Sequence, residues 1–208
     1  MPIRTVLAGF KIEDTVDGAQ ILKNLERYGR LCKKSEGKIT EGSAEKLIRQ
    51  LIKDGHESVL EHEKVTVRFI IDRGVSHELV RHRIGSYSQE STRYCNYGRR
   101  GIEFIQPFFL LGGEHVKRYN IWLRVMEACE KGYLEFLEDG ASLDEARIVL
   151  PFSLKTEIVV TYNLRAWRHF FRLRASNRAH PQMREVVRPL LARFKALIPV
   201  IFDDISGE

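Results

Sequence analysis

The chain has 208 residues, 43% of them hydrophobic, with 34 Lys plus Arg against 28 Asp plus Glu for a net charge of +6. That supports a buried core, but the longest apolar runs, such as those at Phe69 to Ile71 and Phe108 to Leu111, fall far short of the roughly 20 residues that span a bilayer, so no membrane association is expected. Three cysteines at wide spacings, without C-x-x-C or a signal-peptide pattern, predict a reduced cytoplasmic protein, and the basic excess suits an anionic small molecule or nucleic acid without choosing between them.

Ile3 to Phe10 is β-branched and apolar and predicts a strand, and Ala19 to Leu31 carries Ile21, Leu22, Leu25 and Tyr28 at helical spacing. Lys33 to Gly42 is polar and holds two glycines, as a loop does; Ser43 then caps a helix running to about Asp54, ended by Gly55. Val65, Val67, Phe69 and Ile71 alternate with Lys64, Thr66 and Arg68, the period of a strand with one buried face. Ser76 next predicts the cap of a short helix from His77 to about Arg83, followed by a hydroxyl-rich loop from Ser86 to Arg93.

Ile102 to Ile105 predicts another strand, ended by Pro107, and His115 to Glu138 a long amphipathic helix stopped by Asp139-Gly140. Ser142 with Glu145 is a capping-box pattern for a helix reaching Leu150, broken by Pro151. Thr156 to Tyr162 reads as a strand, with helices over Leu164 to Ala175 and Pro181 to Ile198. Strands and helices mix without a βαβ rhythm, and no repeat or flexible linker divides them, so one α+β domain over residues 1–208 is expected.

Chemistry concentrates in residues 81–93, Arg-His-Arg-Ile-Gly-Ser-Tyr-Ser-Gln-Glu-Ser-Thr-Arg, where guanidinium forks and hydroxyls match phosphate or carboxylate oxygens. On a helix Arg81 and Arg83 lie about 200° apart, so they face different ligands or different parts of one. Between Lys64 and Lys117 the Lys/Arg positions are seven Arg, and between Lys155 and Lys195 eight Arg; a merely solvated surface mixes the two types. His56 and His62 are six apart, unlike the H-E-x-x-H of zinc enzymes, so hydrogen bonding rather than a metal is expected there. Arg165, His169 and Arg172 share a helical face with Arg168 near its edge. The residues alone leave open whether Asn163, Arg165, His169 and Arg174 meet a ligand, while Arg168 and Arg172 read as a solvated face. P-loop, G-x-G-x-x-G and G-x-S-x-G templates are missing, as is a Cys–His nucleophile pair.

Arg81-His82-Arg83, seven residues, then Ser91 resembles the R-H-R-x7-S signature of flavin-dependent thymidylate synthases. Upstream, the segment from Gly55 to His62 resembles the family's G-H-x-S-x-x-E-H, and His77-Glu78-Leu79-Val80 leads into the signature as in family members. Downstream, Ala146 to Pro151 and Asn163 to Arg174 resemble the family's two C-terminal blocks, so the likeness covers most of the chain in order.

The resemblance implies a single α+β domain whose mainly antiparallel sheet is flanked by helices. It implies reductive methylation of dUMP to dTMP with 5,10-methylenetetrahydrofolate as carbon donor, FAD as redox carrier and NADPH as reductant, without an enzyme thiol. By motif, Ser58, Arg81, His82, Arg83, Gln89, Asn163, Leu164, Arg165 and His169 contact FAD. Glu78, Leu79, Val80, Arg81, Gln89, Glu90, Ser91, Thr92, Arg93 and Arg147 hold dUMP, with Arg174 polarising the uracil ring as the catalytic group. Family likeness also implies a homotetramer with active sites shared between subunits. The competing reading is an Arg-rich RNA- or DNA-binding protein with Tyr87, Tyr94 and Tyr97 stacking on bases.

Overall fold

A computed structural model describes residues 3–207. In chain order the elements begin with β1 (Arg4–Val6), β2 (Gly9–Ile12), α1 (Gly18–Leu31), α2 (Ser43–Lys53), a 3-10 helix at Glu57–His62, β3 (Lys64–Asp72) and α3 (Arg73–Leu79). There follow β4 (Ser86–Gln89), α4 (Tyr97–Arg100), β5 (Glu103–Ile105), α5 (Val116–Glu138) and α6 (Leu143–Ala146), which runs into a 3-10 turn at Arg147–Val149. The chain finishes with β6 (Lys155–Asn163), α7 (Leu164–Arg174), α8 (Pro181–Leu197) and α9 (Pro199–Phe202).

Four strands form one sheet in the order β2-β3-β6-β4, and β1 pairs with β5 in parallel, Arg4 opposite Glu103. Along β3 and β6 partner numbers run in opposite directions, Thr66 meeting Thr161 at 3.0 Å and Arg68 meeting Glu157 at 3.0 Å, so this pair is antiparallel. Both strands bury every second side chain: Val65, Val67, Phe69 and Ile71 on β3, and Thr156, Ile158, Val160 and Tyr162 on β6. The architecture is thus the mixed α and β fold with an antiparallel sheet that the sequence predicts.

The chain forms two compact units, one of Met1–Phe10, Arg68–Arg83 and Tyr87–Val159, the other of Lys11–Val67, Ile84–Ser86 and Val160–Glu208. In the first unit Tyr97, Ile102, Phe104, Met126, Tyr133, Ala146 and Leu154 make a core, joining α4, β5, α5 and α6. The second unit is held by an aromatic cluster. Trp167 packs 5.5 Å from Phe171 and 5.1 Å from Phe194 between ring centroids, and its indole N–H donates to the Val65 carbonyl at 2.9 Å. Truncating one such buried ring costs about 3–5 kcal/mol.

Several local expectations are corrected. The stretch from Ile3 to Phe10 is two strands in different sheets, not one. Helix α2 starts at Ser43 itself behind Gly42, whose φ of 72° is the left-handed region that glycine adopts without strain. The Ser43 hydroxyl instead donates to Glu26 at 2.6 Å. Helix α3 is capped by Asp72, whose carboxylate accepts from the Val75 N–H at 2.7 Å, so it begins earlier than a Ser76 cap places it and ends at Leu79. Arg81 and Arg83 therefore lie in the turn beyond the helix, and the helical-face argument about them does not apply. Ser86–Gln89 is a strand rather than a loop: pairing with β6 supplies the order that its hydroxyl-rich sequence does not announce.

Candidate functional site

The turn that follows α3 is fixed by its own sequence. The Tyr87 hydroxyl donates to the Leu79 carbonyl at 3.3 Å and to the His82 carbonyl, closing the end of the helix onto the start of β4. These bonds leave Arg81 and Arg83 exposed, in no ion pair among the described residues, with His82 half-buried. Glu78 is half-buried and Val80 exposed; the buried Leu79 has only main-chain atoms to offer a ligand. In the second unit, a side chain at Gly85 would overlap the Tyr162 ring, which is why this position takes glycine.

Residues 89–93 are held as firmly. Gln89 donates from Nε2 to Ser76 Oγ at 3.0 Å and to Thr156 Oγ1 at 3.2 Å. Glu90 extends the strand pairing: its N–H donates to the Glu157 carbonyl at 2.9 Å, and its carboxylate accepts the Glu157 N–H at 3.2 Å. Its own carbonyl accepts Arg73 Nη2 at 2.7 Å. The chain then turns at Ser91, whose carbonyl accepts the Tyr94 and Cys95 N–H groups and whose hydroxyl accepts the Arg93 N–H at 3.2 Å.

That turn directs Arg93 to Asp144, with Nε 2.8 Å from Oδ1, while Arg147 Nε stands 3.9 Å from the same oxygen. Asp144 is placed by the capping box of α6, in which Ser142 and Glu145 bond reciprocally. The hydrogen bonds from Ser142 hold the Glu145 carboxyl below its usual range. Thr92, Asp144 and Arg147 line a cavity of about 550 Å³ together with Arg73, His77 and Phe152. The His77 ring meets the Phe152 ring edge-on at 5.6 Å. The lining thus combines guanidiniums and a hydroxyl with the Asp144 and Glu145 carboxylates and an aromatic ring, and the cationic and aromatic groups suit a phosphorylated, ring-bearing molecule.

A second cavity of about 460 Å³ in the same unit is lined by Arg68, Gln89, Glu90, Tyr97, Lys155 and Glu157, among others. Four of its charged side chains pair with one another. Lys155 sits 3.0 Å from Glu157 and 3.2 Å from Glu103, and Arg68 reaches Glu157 at 3.0 Å. Hydrogen bonds from Arg68 and then Lys155 hold the Glu157 carboxyl low; burial alone pulls Lys155 down, but Glu157 and Glu103 outweigh it and raise it. Tyr97 is pushed well above its ordinary value by burial and then by the Glu90 charge. Its hydroxyl and Arg73 Nε are buried without a hydrogen-bond partner among the described residues.

In the second unit, Ser58 lies exposed on the 3-10 helix at Glu57–His62. Asn163 caps α7, its side-chain oxygen accepting the Ala166 N–H at 2.8 Å, and the buried Leu164 gives its N–H to the Glu63 carbonyl at 2.9 Å. Arg165 pairs with Glu61 at 2.6 Å, His169 is exposed one turn on, and Arg174 is half-buried in the last turn. The reading of Arg168 as part of a solvated face is wrong: the side chain is fully buried, paired with Glu57 and Asp204. Arg172, half-exposed, joins the same two carboxylates. Edge position on a helical wheel could not say which face the C-terminal segment would cover.

Sequence reasoning also passed over Asp144 and Arg73, and it named Tyr97 only as a ring to stack on bases, whereas the structure buries it. Arg73 belongs to the stretch rich in Arg, and Asp144 stands three residues before Arg147 inside a visible capping box; either signal could have drawn attention to them.

The family model described as thymidylate synthase complementing protein matches residues 16–200. The flavin-dependent thymidylate synthase of Geobacter sulfurreducens is 37% identical over 182 residues, covering 84% of this chain and 78% of that one. That of Pyrococcus furiosus is 38% identical over 173 residues, covering 79% and 68%. Among solved structures, the UMP/dUMP methylase PolB from Streptomyces cacaoi, bound with 5-Br dUMP, superposes with a TM-score of 0.81 at 26% identity, covering 97% of this chain and 96% of that one.

Proposed function

Because the chain belongs to the flavin-dependent thymidylate synthase family and is thereby a methyltransferase, we propose that it converts dUMP to dTMP with FAD as its redox carrier. In this reading 5,10-methylenetetrahydrofolate gives the carbon, NADPH the reducing equivalents, and tetrahydrofolate leaves. The observation that carries the nucleotide assignment is the convergence of Arg93 and Arg147 on the Asp144 carboxylate beside the cavity of about 550 Å³. A carboxylate held by two guanidiniums marks a place where a phosphate is welcome. The similar UMP/dUMP methylase, bound with 5-Br dUMP, supports the same substrate class.

In this proposal Arg93, Arg147, Ser91 and Thr92 take the dUMP phosphate and sugar. Glu78, Leu79, Val80, Arg81, Gln89 and Glu90 border the base, the buried Leu79 through main-chain atoms. Arg174 stabilises charge developing over the N1, O2 and N3 edge of the uracil ring, which a fixed guanidinium does without exchanging a proton.

The groups assigned to FAD fit an anionic dinucleotide: Arg81 and Arg83 present exposed guanidiniums, and Ser58 and His169 are exposed donors. His82, Gln89, Asn163, Leu164 and Arg165 complete that set. Bound flavin supplies two-electron transfer, so no enzyme thiol is needed.

A homotetramer sharing active sites between subunits is the assembly proposed. Exposed apolar side chains support it: Phe109 and Leu111, with Ile121, Val125 and Phe136 on α5, are surface that association covers. A cytoplasmic location is proposed too; no helix among the described residues is long and apolar enough to cross a membrane. The nucleic-acid-binding reading is not favoured, since the family match covers most of the chain.

One experiment tests the whole reading. The protein reconstituted with FAD shows a flavin absorbance spectrum, and NADPH oxidation with dUMP and methylenetetrahydrofolate yields dTMP. A protein that binds no flavin, or turns over identically without dUMP, refutes it.

A further inference from the structure

We propose that Asp204 and Glu57, acting through the buried Arg168, are positioning residues that hold the flavin-side groups of the second unit in register. The proposal rests on the flavin role assigned above to Ser58, Arg165 and His169.

Arg168 is fully buried and its guanidinium is spent on protein partners. Nη1 and Nη2 form a two-pronged pair with the Asp204 oxygens, both at 2.7 Å, and Nη1 also donates to the Ile201 carbonyl. The remaining edge reaches Glu57 Oε1 at 3.1 Å. Arg172 closes the cluster from outside, 3.1 Å from Glu57 and 3.4 Å from Asp204. A buried guanidinium is tolerable only while its carboxylates stay in place, so these contacts fix geometry. Hydrogen bonding to Arg168 holds the Asp204 carboxyl below its ordinary range, as expected for a carboxylate fixed by this guanidinium.

Two members of the cluster, Glu57 and Arg168, are each next to a group the flavin reading uses. Glu57 precedes Ser58 on the 3-10 helix, and Arg168 precedes His169 on α7, one turn after Arg165. Arg165 makes a second tie between the same two elements through Glu61 at 2.6 Å. Three ion pairs therefore bolt the 3-10 helix to α7, from Arg168 and Arg172 to Glu57 and from Arg165 to Glu61, and Asp204 beyond α9 clasps the two arginines that hold Glu57. Asp204 lies beyond residue 200, where the family match stops, so this clasp belongs to sequence outside the matched region.

The test titrates the whole protein with FAD, reading flavin fluorescence, and then measures kcat and the KM for dUMP at saturating FAD, below the thermal midpoint of every variant. Asp204→Asn keeps the shape but removes the charge; it is expected to weaken FAD binding at least tenfold, with kcat at saturating FAD and the KM for dUMP each within twofold. Asp204→Glu restores most of the affinity. A merely structural role leaves FAD affinity unchanged while lowering the thermal midpoint, and that result overturns the proposal. If Asp204→Asn does not fold, Arg172→Gln, which removes one exposed arm of the cluster, carries the test: a threefold weakening supports it and an unchanged affinity overturns it. Ser58→Ala and Arg165→Ala separate the two layers of inference. If they weaken FAD binding and Asp204→Asn does not, only the clasp fails; if they too have no effect, the flavin assignment fails.

Discussion

Two arginine clusters in this chain are built from the same side chains and sit in opposite surroundings. In one unit Arg93 and Arg147 share Asp144 with all three side chains about half exposed. In the other, Arg168 gives every prong to Glu57, Asp204 and the main chain with no exposure at all. Ion pairing alone does not distinguish a ligand site from a scaffold; solvent access does. An exposed pair is worth little to stability and is easily exchanged for an incoming anion, whereas a buried one cannot be opened without stranding a charge.

The largest expected effect tests the buried side. Arg168→Ala empties a fully buried site and leaves Glu57 and Asp204 with Arg172 as their one remaining partner in the cluster, and equilibrium urea unfolding should show a loss of about 3–5 kcal/mol. A loss below about 1 kcal/mol would mean the cluster is no scaffold. Arg147→Ala tests the exposed side: loss of a charge-assisted bond to phosphate, about 1.5–3 kcal/mol, raises the KM for dUMP roughly 10- to 100-fold. Its unfolding free energy should stay within about 0.5 kcal/mol of the parent. Equal damage to stability would erase the contrast.

The contrast was only half legible in the sequence. Strands β3 and β6 show their period of two in Val65, Val67, Phe69, Ile71 and in Ile158, Val160, Tyr162, because one-sided burial dictates it. Helices α5, α7 and α8 lie within a residue or two of their expected bounds, since capping and stop signals are local. Strand β4 escaped because Ser86-Tyr87-Ser88-Gln89 has no apolar alternation and owes its form to pairing. The R-H-R-x7-S signature was visible since it is compact, but Asp144 meets Arg93 across 51 positions and Asp204 meets Arg168 across 36. No local pattern encodes a partner that far along the chain.

Acid sharpens the comparison at smaller amplitude. Asp204, held below its ordinary value of 3.8 chiefly by hydrogen bonding to Arg168, contributes stability that is fully present above that value and fades as pH falls through the lower folded one. Its side chain is about half exposed, so screening limits the effect to about 1 kcal/mol or less. Urea midpoints between about pH 6 and about pH 2 should fall less steeply for Asp204→Asn than for the parent. Parallel curves would remove Asp204 from the acid response.

The smallest effect bears on what the exposed cluster is for. Asp144 occupies the place between Arg93 and Arg147 that a phosphate takes in the proposed function, so it both orients the two guanidiniums and competes for them. Both side chains of the Arg93–Asp144 pair are about half exposed, and such pairs are worth about 0.2–1 kcal/mol. Asp144→Asn keeps the shape and removes the competing charge, which lets dUMP bind about two- to fivefold more tightly if competition outweighs orientation, a change that size of energy permits. The two roles separate by ionic strength. Competition between charges is screened, so the advantage of Asp144→Asn shrinks as salt is raised, whereas lost orientation weakens binding at every salt concentration. Titration of dUMP at low and high salt decides between them, and weaker binding by Asp144→Asn throughout would make the carboxylate an aligning group instead of a placeholder.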